Sequence, residues 1–288
     1  GAWIEDNLSY SNLTGIFAND NNGSSTAVGN IVYDNSFAGI YVVLGSSAFS
    51  NLVYDNEIGI RAYSNSVTYS FIGTLENNLI YSSNTRAILV RDAGPGAQII
   101  NNTIYETTAN GIRLEAGSNN LRLTNNIFQI EAGVAIDVAA DSQAGFVSDY
   151  NLIYTPGTAT LGLWGAQSFN NKADWFYELG LDRHSLIGDA AEYQPQFLDP
   201  DGADNQLGFN GTTNFGLDDD FRLALNSPGV DAADPLSTYN LEPAPNGLRR
   251  NIGAYGNTDQ AALSQTDFIQ VLNPNGLEKY ETGQTIEL

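Results

Sequence analysis

The stretch "FLDPDGADNQLG" sets Asp199, Asp201, Asp204 and Asn205 within seven positions, and "GLDDDFRL" follows with Asp218, Asp219 and Asp220. Oxygen donors offered by short Asp- and Gly-rich turns suit calcium, which takes roughly six to eight oxygens at about 2.4 Å. The spacing is not that of an EF-hand: Gly202 is fourth rather than sixth from Asp199, and Asn210 stands twelfth where that loop carries Glu. Three adjacent acids repel one another unless a cation, an arginine or water relieves them. The expectation is a calcium ion (Ca2+) on which the two acidic turns meet, holding the fold rather than doing chemistry. Solvated acidic turns are the plain alternative.

Groups for catalysis are scarce. The chain has two lysines, Lys172 and Lys279, one histidine, His184, and neither cysteine nor methionine. Thiolate chemistry, disulfides and cysteine-ligated zinc are thereby excluded. β-Elimination on a uronic acid needs a base beside the C5 proton and positive charge on the carboxylate. Arg61, Arg91 and Arg113 could neutralise such a carboxylate, but arginine is a base only under strong perturbation. His184, in the turn "GLDRHSLIG", reads as structural ahead of a general acid or base. Glu115 and Asp137, one repeat apart, are a carboxylate pair that glycoside hydrolysis could use.

Charge narrows the partners. Eleven Lys and Arg against 33 Asp and Glu give a net charge of -22 over 288 residues, which disfavours nucleic acid and anionic membrane surfaces. Neutral glycans, cations and basic ligands remain open. No apolar run approaches the ~20 residues of a membrane-spanning helix. Without methionine, and with Gly1 first, the chain reads as a piece of a longer one.

The elements that must position these groups come from a repeat. "NLSY" at 7, "NIVY" at 30, "NLVY" at 51, "NLIY" at 78, "NTIY" at 102, "NIFQ" at 126 and "NLIY" at 151 recur with a mean spacing of 24 residues. A second phrase follows each by eight to ten positions: "GIF" at 15, "GIY" at 39, "GIR" at 59, "AIL" at 87, "GIR" at 111 and "AID" at 135. Each unit holds two or three short β-rich runs broken by Asn, Gly and Ser turns, without a helical period. Such a unit cannot bury its own apolar face, but stacked coils share one core. This predicts a parallel β-helix with the repeated Asn in an amide ladder.

After each Asn three successive positions are mostly apolar, as in Leu52, Val53 and Tyr54, so this sheet should be covered on both faces. The chain after residue 155 is the candidate cover. It holds Trp164, Trp175, Phe176 and Tyr177, and "SFNNKADWFYELG" reads as a short helix ending at Gly180. The strand after "GI" points Phe17, Tyr41, Arg61, Leu89, Arg113 and Asp137 outward in one column. The next column carries Asn19, Val43, Tyr63, Arg91, Glu115 and Ala139. Aromatic rings beside planar donors suit sugar rings, so Tyr41, Arg61, Tyr63, Arg91, Arg113, Glu115 and Asp137 form the candidate ligand face. An ordinary solvated sheet with cross-strand ion pairs is the competing reading.

The phrases "DWFYELGLDRHSLIG", "DDDFRLALNSPGVDAADP" and "NIGAYG" resemble the closing segment of secreted bacterial right-handed parallel β-helix repeat proteins of the pectate-lyase-like solenoid superfamily. Trp175, Gly180, Asp182, Ser185, Phe197, Asp220, Phe221, Arg222, Leu223, Ser227, Pro228, Asp231, Ala232, Ile252, Gly253, Ala254 and Tyr255 fit that pattern; Ala233 departs from its usual Gly. The tail "VLNPNGLEKYETGQTIEL" resembles the opening of an immunoglobulin-like domain. The resemblance implies an all-β, right-handed parallel β-helix of about seven coils over 1–160 and a closing segment with one short helix over 161–262. A linker and the start of the next domain follow over 263–288.

It also implies an extracellular or cell-surface bacterial setting, other domains of the same long chain as partners, and no membrane insertion. The function expected is a non-catalytic module, glycan-binding or adhesive and structural, stabilised by calcium. The alternative is a polysaccharide-active enzyme: lyase, epimerase or glycoside hydrolase. Fold alone does not choose between them.

Overall fold

The computed structural model describes residues 1–19, 24–64, 69–265, 277, 279 and 281–285. The repeat folds as expected into a parallel β-solenoid. Each coil contributes one strand to each of three sheets. Sheet A runs from Trp3–Glu5 to Val147–Asp149, sheet B from Leu8–Tyr10 to Leu186–Gly188, and sheet C from Thr14–Ala18 to Thr160–Trp164, where Gln167–Phe169 adds a last, antiparallel strand. Seven ladder asparagines bound six intervals, so there are about six full turns, slightly fewer than the seven expected.

Alternation sends one residue inward from each three-residue strand of sheets A and B and two from the longer strands of sheet C, such as Ile40 with Val42 and Ile60 with Ala62. Ala48, Leu75, Ile99 and Leu123 come from sheet A, Val32, Val53, Ile80 and Ile104 from sheet B, and Ile40, Ile60, Ile88 and Ile112 from sheet C; all are fully buried in one core. No single coil could dry these residues, which is why the repeat must stack.

The A-to-B turn carries the predicted amide ladder. Asn7, Asn30, Asn51, Asn78, Asn102 and Asn126 each pass a side-chain N–H to the next, ending at Asn151, at 2.8–3.1 Å. Each Oδ1 also accepts a backbone N–H from the preceding coil, as in Asn51 with Asn30 at 3.0 Å. A second, shorter ladder of Asn12, Asn35 and Asn56 holds the B-to-C turn. It explains the "GI" phrase: a Cβ on Gly39 would lie 2.7 Å from Asn56 Nδ2, closer than atoms tolerate.

Of the aromatic residues expected over sheet B, Trp164 and Trp175 lie elsewhere: with Phe169 they plug the end of the core. Phe169 and Trp175 pack with Leu161 and Leu181, and Gly162 makes room, since a Cβ there would stand 2.5 Å from the Trp175 ring. The predicted helix is Lys172–Leu179. Asn171 caps its start by accepting from Asp174 N at 2.9 Å, and Gly180 ends it in the left-handed conformation, φ 74°.

The cover of sheet B is the later chain. Phe197–Asp199 pairs antiparallel with Asp220–Leu223, and Phe221, fully buried, packs on Tyr81 and Tyr105. Farther along sheet B, Leu223, Ala233 and Ile252 cover Ile127 and Leu152. Docking is made through a second asparagine in the doubled "NN" of three coils. Asn77 donates to Ala254 O and Gly256 O at 2.7 and 2.9 Å, and Asn101 donates to Asn251 O and Gly253 O at 2.9 and 3.0 Å. Asn125 accepts from Asp234 N at 2.8 Å. Each takes a left-handed backbone conformation, which Asn tolerates better than most residues. Among the described residues no helix is long and apolar enough to cross a membrane. The expected immunoglobulin-like opening lies largely outside the described residues.

Candidate functional site

The register of sheet C brings the predicted outward columns together; Phe17 is half exposed, while Val43 and Leu89 are buried. Phe17, Tyr41, Arg61, Leu89, Arg113 and Asp137 stand in one row across successive coils, and Val43, Tyr63, Arg91 and Glu115 in the next. The row divides into two halves with different electrostatics.

In the half nearer Phe17, Arg61 lies among rings. Its guanidinium carbon is 4.8 Å from the Phe37 centroid, 5.3 Å from Tyr41 and 5.6 Å from Tyr63. Phe17 extends this surface, 5.0 Å from Tyr41, and is half exposed. Arg61 forms no ion pair among the described residues, and its buried Nε finds no acceptor there. A guanidinium held by π faces keeps its in-plane donors for a ligand. Phe37 was not in the predicted set; it precedes its strand and reaches the face from the turn.

In the other half the arginines are engaged. Arg91 Nε stands 3.1 Å from Glu115, and Arg113 bonds Glu115 at 2.7 Å and also Asp137. These bonds, with Glu115 the larger contributor, hold the Arg113 proton tighter than usual. Glu115 and Asp137 therefore share Arg113, and Glu115 also has Arg91. Arg86, on the same strand as Arg91, is pushed down by burial and by Arg113.

The acidic segment lies over sheet B, across the molecule's core from this face. Its three adjacent acids diverge. Asp218 Oδ2 accepts Ala203 N at 2.9 Å and so reaches the turn of Asp201 and Asp204. Asp219 turns inward and accepts Gly208 N at 3.0 Å, while Asp220 makes a two-pronged pair with Arg222 at 2.6 and 2.9 Å. Asp204 accepts Gln206 N, Asn205 lies in the left-handed conformation, and Asp199 belongs to the strand opposite Asp220. Among the described residues no three Asp, Glu or His side chains converge as a group that could hold a metal.

Asp219 meets a residue that the sequence did not single out. Asp55 Oδ2 accepts Phe209 N at 2.6 Å, so Asp55 and Asp219 bracket the backbone of Gly208 and Phe209. Burial, with repulsion from Asp219, pushes Asp55 up to about 7. Burial, with repulsion from Asp218 and Asp204, pushes Asp219 up to about 6. Beside them Tyr10, Tyr33, Tyr54 and Tyr81 stack at centroid distances of 5.0–5.1 Å. Tyr54 donates to Asn214 at 2.8 Å.

His184 is remote from sheet C. Its Nδ1 lies 2.7 Å from Asp149 Oδ2, its backbone N–H donates to the same carboxylate at 2.7 Å, and its ring stacks on Tyr150 at 4.8 Å. These contacts brace the last A-to-B turn. Lys279 stands 3.9 Å over the Tyr177 ring, well away from the arginine rows.

Comparison with known proteins supports the fold. The model of the right handed beta helix region matches residues 50–173. No curated protein and no solved structure matches this chain.

Proposed function

We propose that the chain is a carbohydrate-binding β-helix module whose ligand face is the outward side of sheet C. The observation that carries this reading is Arg61, set among Phe37, Tyr41 and Tyr63 without a carboxylate partner among the described residues. Rings pack on the apolar face of a pyranose while the guanidinium bonds its rim oxygens. Parallel strands about 4.8 Å apart repeat such contacts along an extended chain.

The module is read as binding without catalysis. Arg113 occupies both Glu115 and Asp137, leaving neither as a free carboxylate for acid and base work. An extracellular or cell-surface setting, with other domains of a longer bacterial chain beside it, agrees with this reading. Calcium belongs to it as a stabiliser of the acidic segment, far from the ligand face.

The test is a glycan array probed with wild type and with Arg61→Ala and Tyr41→Ala. Binding of an extended glycan that both variants lose supports the face; a blank array with wild type removes it. Incubation with alginate, pectate and glycosaminoglycans, followed for unsaturated or reducing ends, separates module from enzyme. New ends would overturn the non-catalytic reading.

A further inference from the structure

Phe209 and Asn214 pair antiparallel, Phe215 N donates to Gly208 O at 2.7 Å, and Asn210 N donates to Thr213 O at 3.2 Å, so residues 208–215 form a small hairpin. Its arms dock on sheet B. The Phe209 ring lies 5.2 Å from Tyr33, Phe209 N donates to Asp55 at 2.6 Å, and Asn214 accepts the Tyr54 hydroxyl at 2.8 Å. Its tip, residues 210–213, is exposed and reads Asn-Gly-Thr-Thr.

An asparagine followed by glycine is open to attack by the next backbone nitrogen, because glycine has no Cβ to crowd that nitrogen or restrict its backbone. Among the described residues the pairs are Asn110–Gly111, Asn210–Gly211 and Asn246–Gly247; Asn22–Gly23 and Asn275–Gly276 lie outside them. The fold treats the three differently. Asn110 opens the strand Asn110–Glu115, and Gly111 is packed so closely that a Cβ would stand 2.4 Å from Ala135 O, so the extended backbone has no room to close a ring. Asn246 is half-buried; its Nδ2 donates to Glu242 O at 3.3 Å, and its Oδ1 accepts a long bond from Leu248 N at 3.4 Å.

Asn210 is exposed, and its Oδ1 accepts Thr212 N at 3.1 Å, Thr212 Oγ1 at 2.9 Å and Thr213 N at 2.9 Å. The Gly211 N–H donates to no group among the described residues, and a Cβ on Gly211, at φ 89°, would meet open space. Three donors on one carbonyl oxygen stabilise the negative charge that develops there as a nucleophile adds to its carbon. The nucleophile is the next atom group of the same chain, so no translational freedom is lost in bringing the two together.

We infer that Asn210 is a self-modification site, converting without an enzyme to a succinimide and then to aspartate and isoaspartate. Gly211 N gives its proton to hydroxide and bonds to Asn210 Cγ; the Cγ–Nδ2 bond breaks, and ammonia leaves with a proton taken from water. Water then opens the ring. Cleavage between Cγ and the ring nitrogen gives aspartate; cleavage at the main-chain carbonyl gives isoaspartate, whose backbone is longer by Cβ. The net change is one water consumed and one ammonia released. The new carboxylate and the added methylene fall between the docked residues Phe209 and Asn214, in a segment that already holds Asp204, Asp218 and Asp219. Conversion to isoaspartate therefore loosens the hairpin from sheet B.

The experiment ages the whole chain for several weeks in mildly alkaline buffer at body temperature. Peptide mapping reads the mass gain of amide-to-acid conversion at each Asn-Gly pair, and electron-based fragmentation separates isoaspartate from aspartate. Asn210 should convert about tenfold or more faster than Asn110 and Asn246. Thr212→Val, which removes one donor to Oδ1 and keeps the backbone N–H, should slow Asn210 about two- to tenfold. The isoaspartate fraction should exchange amide hydrogens faster than fresh protein over residues 208–216. No conversion at Asn210, equal rates at Asn210 and Asn246, or a rate that Thr212→Val leaves unchanged overturns the inference. Unchanged exchange over 208–216 rejects the loosening.

Discussion

Trp175 donates its indole N–H to Asp182 at 2.9 Å, and Asp182 also accepts Asn151 at 3.0 Å and Ser185 at 2.6 Å. The amide ladder of the solenoid thus ends on one fully buried carboxylate under a fully buried ring. The spacing of Trp175, Gly180, Asp182 and Ser185 acquires a physical reason. The helix ends at Gly180 so that the chain can turn back and place Asp182 beneath the tryptophan.

Removing that bond should be felt by the whole fold. Trp175→Phe keeps most of the ring but deletes the N–H, and should cost about 1–3 kcal/mol in urea unfolding. Asp182→Ala, which strands three donors, should cost more. Equal stability of Trp175→Phe and wild type would show that the bond is immaterial.

The doubled asparagines give a local test. Asn101→Ala should free Asn251 and Gly253 carbonyls and raise hydrogen exchange across residues 251–256. Sheet C should stay as protected as in wild type. Asn102→Ala breaks the ladder itself and should lower global stability by about 1–3 kcal/mol, with exchange rising throughout the neighbouring coils. Indistinguishable exchange maps for the two variants would contradict this division of labour.

Stability should fall, not rise, between about pH 4 and pH 7. Asp55 and Asp219, pushed up to about 7 and about 6 chiefly by burial, bind protons more tightly in the folded chain than in the unfolded one. Their contribution is complete below the unfolded carboxylate range and is lost as pH rises through the folded values. Glu106, buried and raised for the same reason, acts in the same direction. Melting at about pH 5 should exceed that at about pH 8, and Asp55→Asn should reduce the difference. A wild-type melt that climbs steadily over this interval would reject the assignment.

Calcium should raise the melting temperature near pH 7.5, because Asp204 and Asp218 repel Asp219 and a divalent cation relieves that repulsion. Asp218→Asn should diminish the rise. Identical melts in calcium and in EGTA would leave these turns as solvated acids.

Much of the fold was legible because its determinants are local and repeated. The Asn phrase recurs at a nearly constant interval, and each recurrence meets its copy in the next coil, so period alone predicts stacking, register and ladder. The rows through Arg61 and Arg113 followed from the same register. What lies over sheet B was less legible. The three-residue apolar runs announced a cover in the chain after residue 155, and Phe221, Leu223 and Ile252 supply it, whereas the rings around Trp175 form an end plug; both call for buried rings, so the sequence does not tell them apart. The doubled "NN" of three coils was a usable signal for the docking positions. It passed unread because a single ladder accounts for only one asparagine per coil.

Composition and periodicity by themselves determined the solenoid, its ladder and the outward columns of sheet C. Stacking enforces these through contacts between equivalent residues. Only the tertiary structure decided which charges meet. It set Arg61 among rings, gave Arg113 two carboxylates, turned Asp219 toward Asp55 and left Arg250 facing a groove. The contacts of Asp219, of Arg250 and of Asp55 with Phe209 join residues that no period relates. They depend on where an irregular closing chain lands on a regular one, and that is settled by packing across the whole molecule.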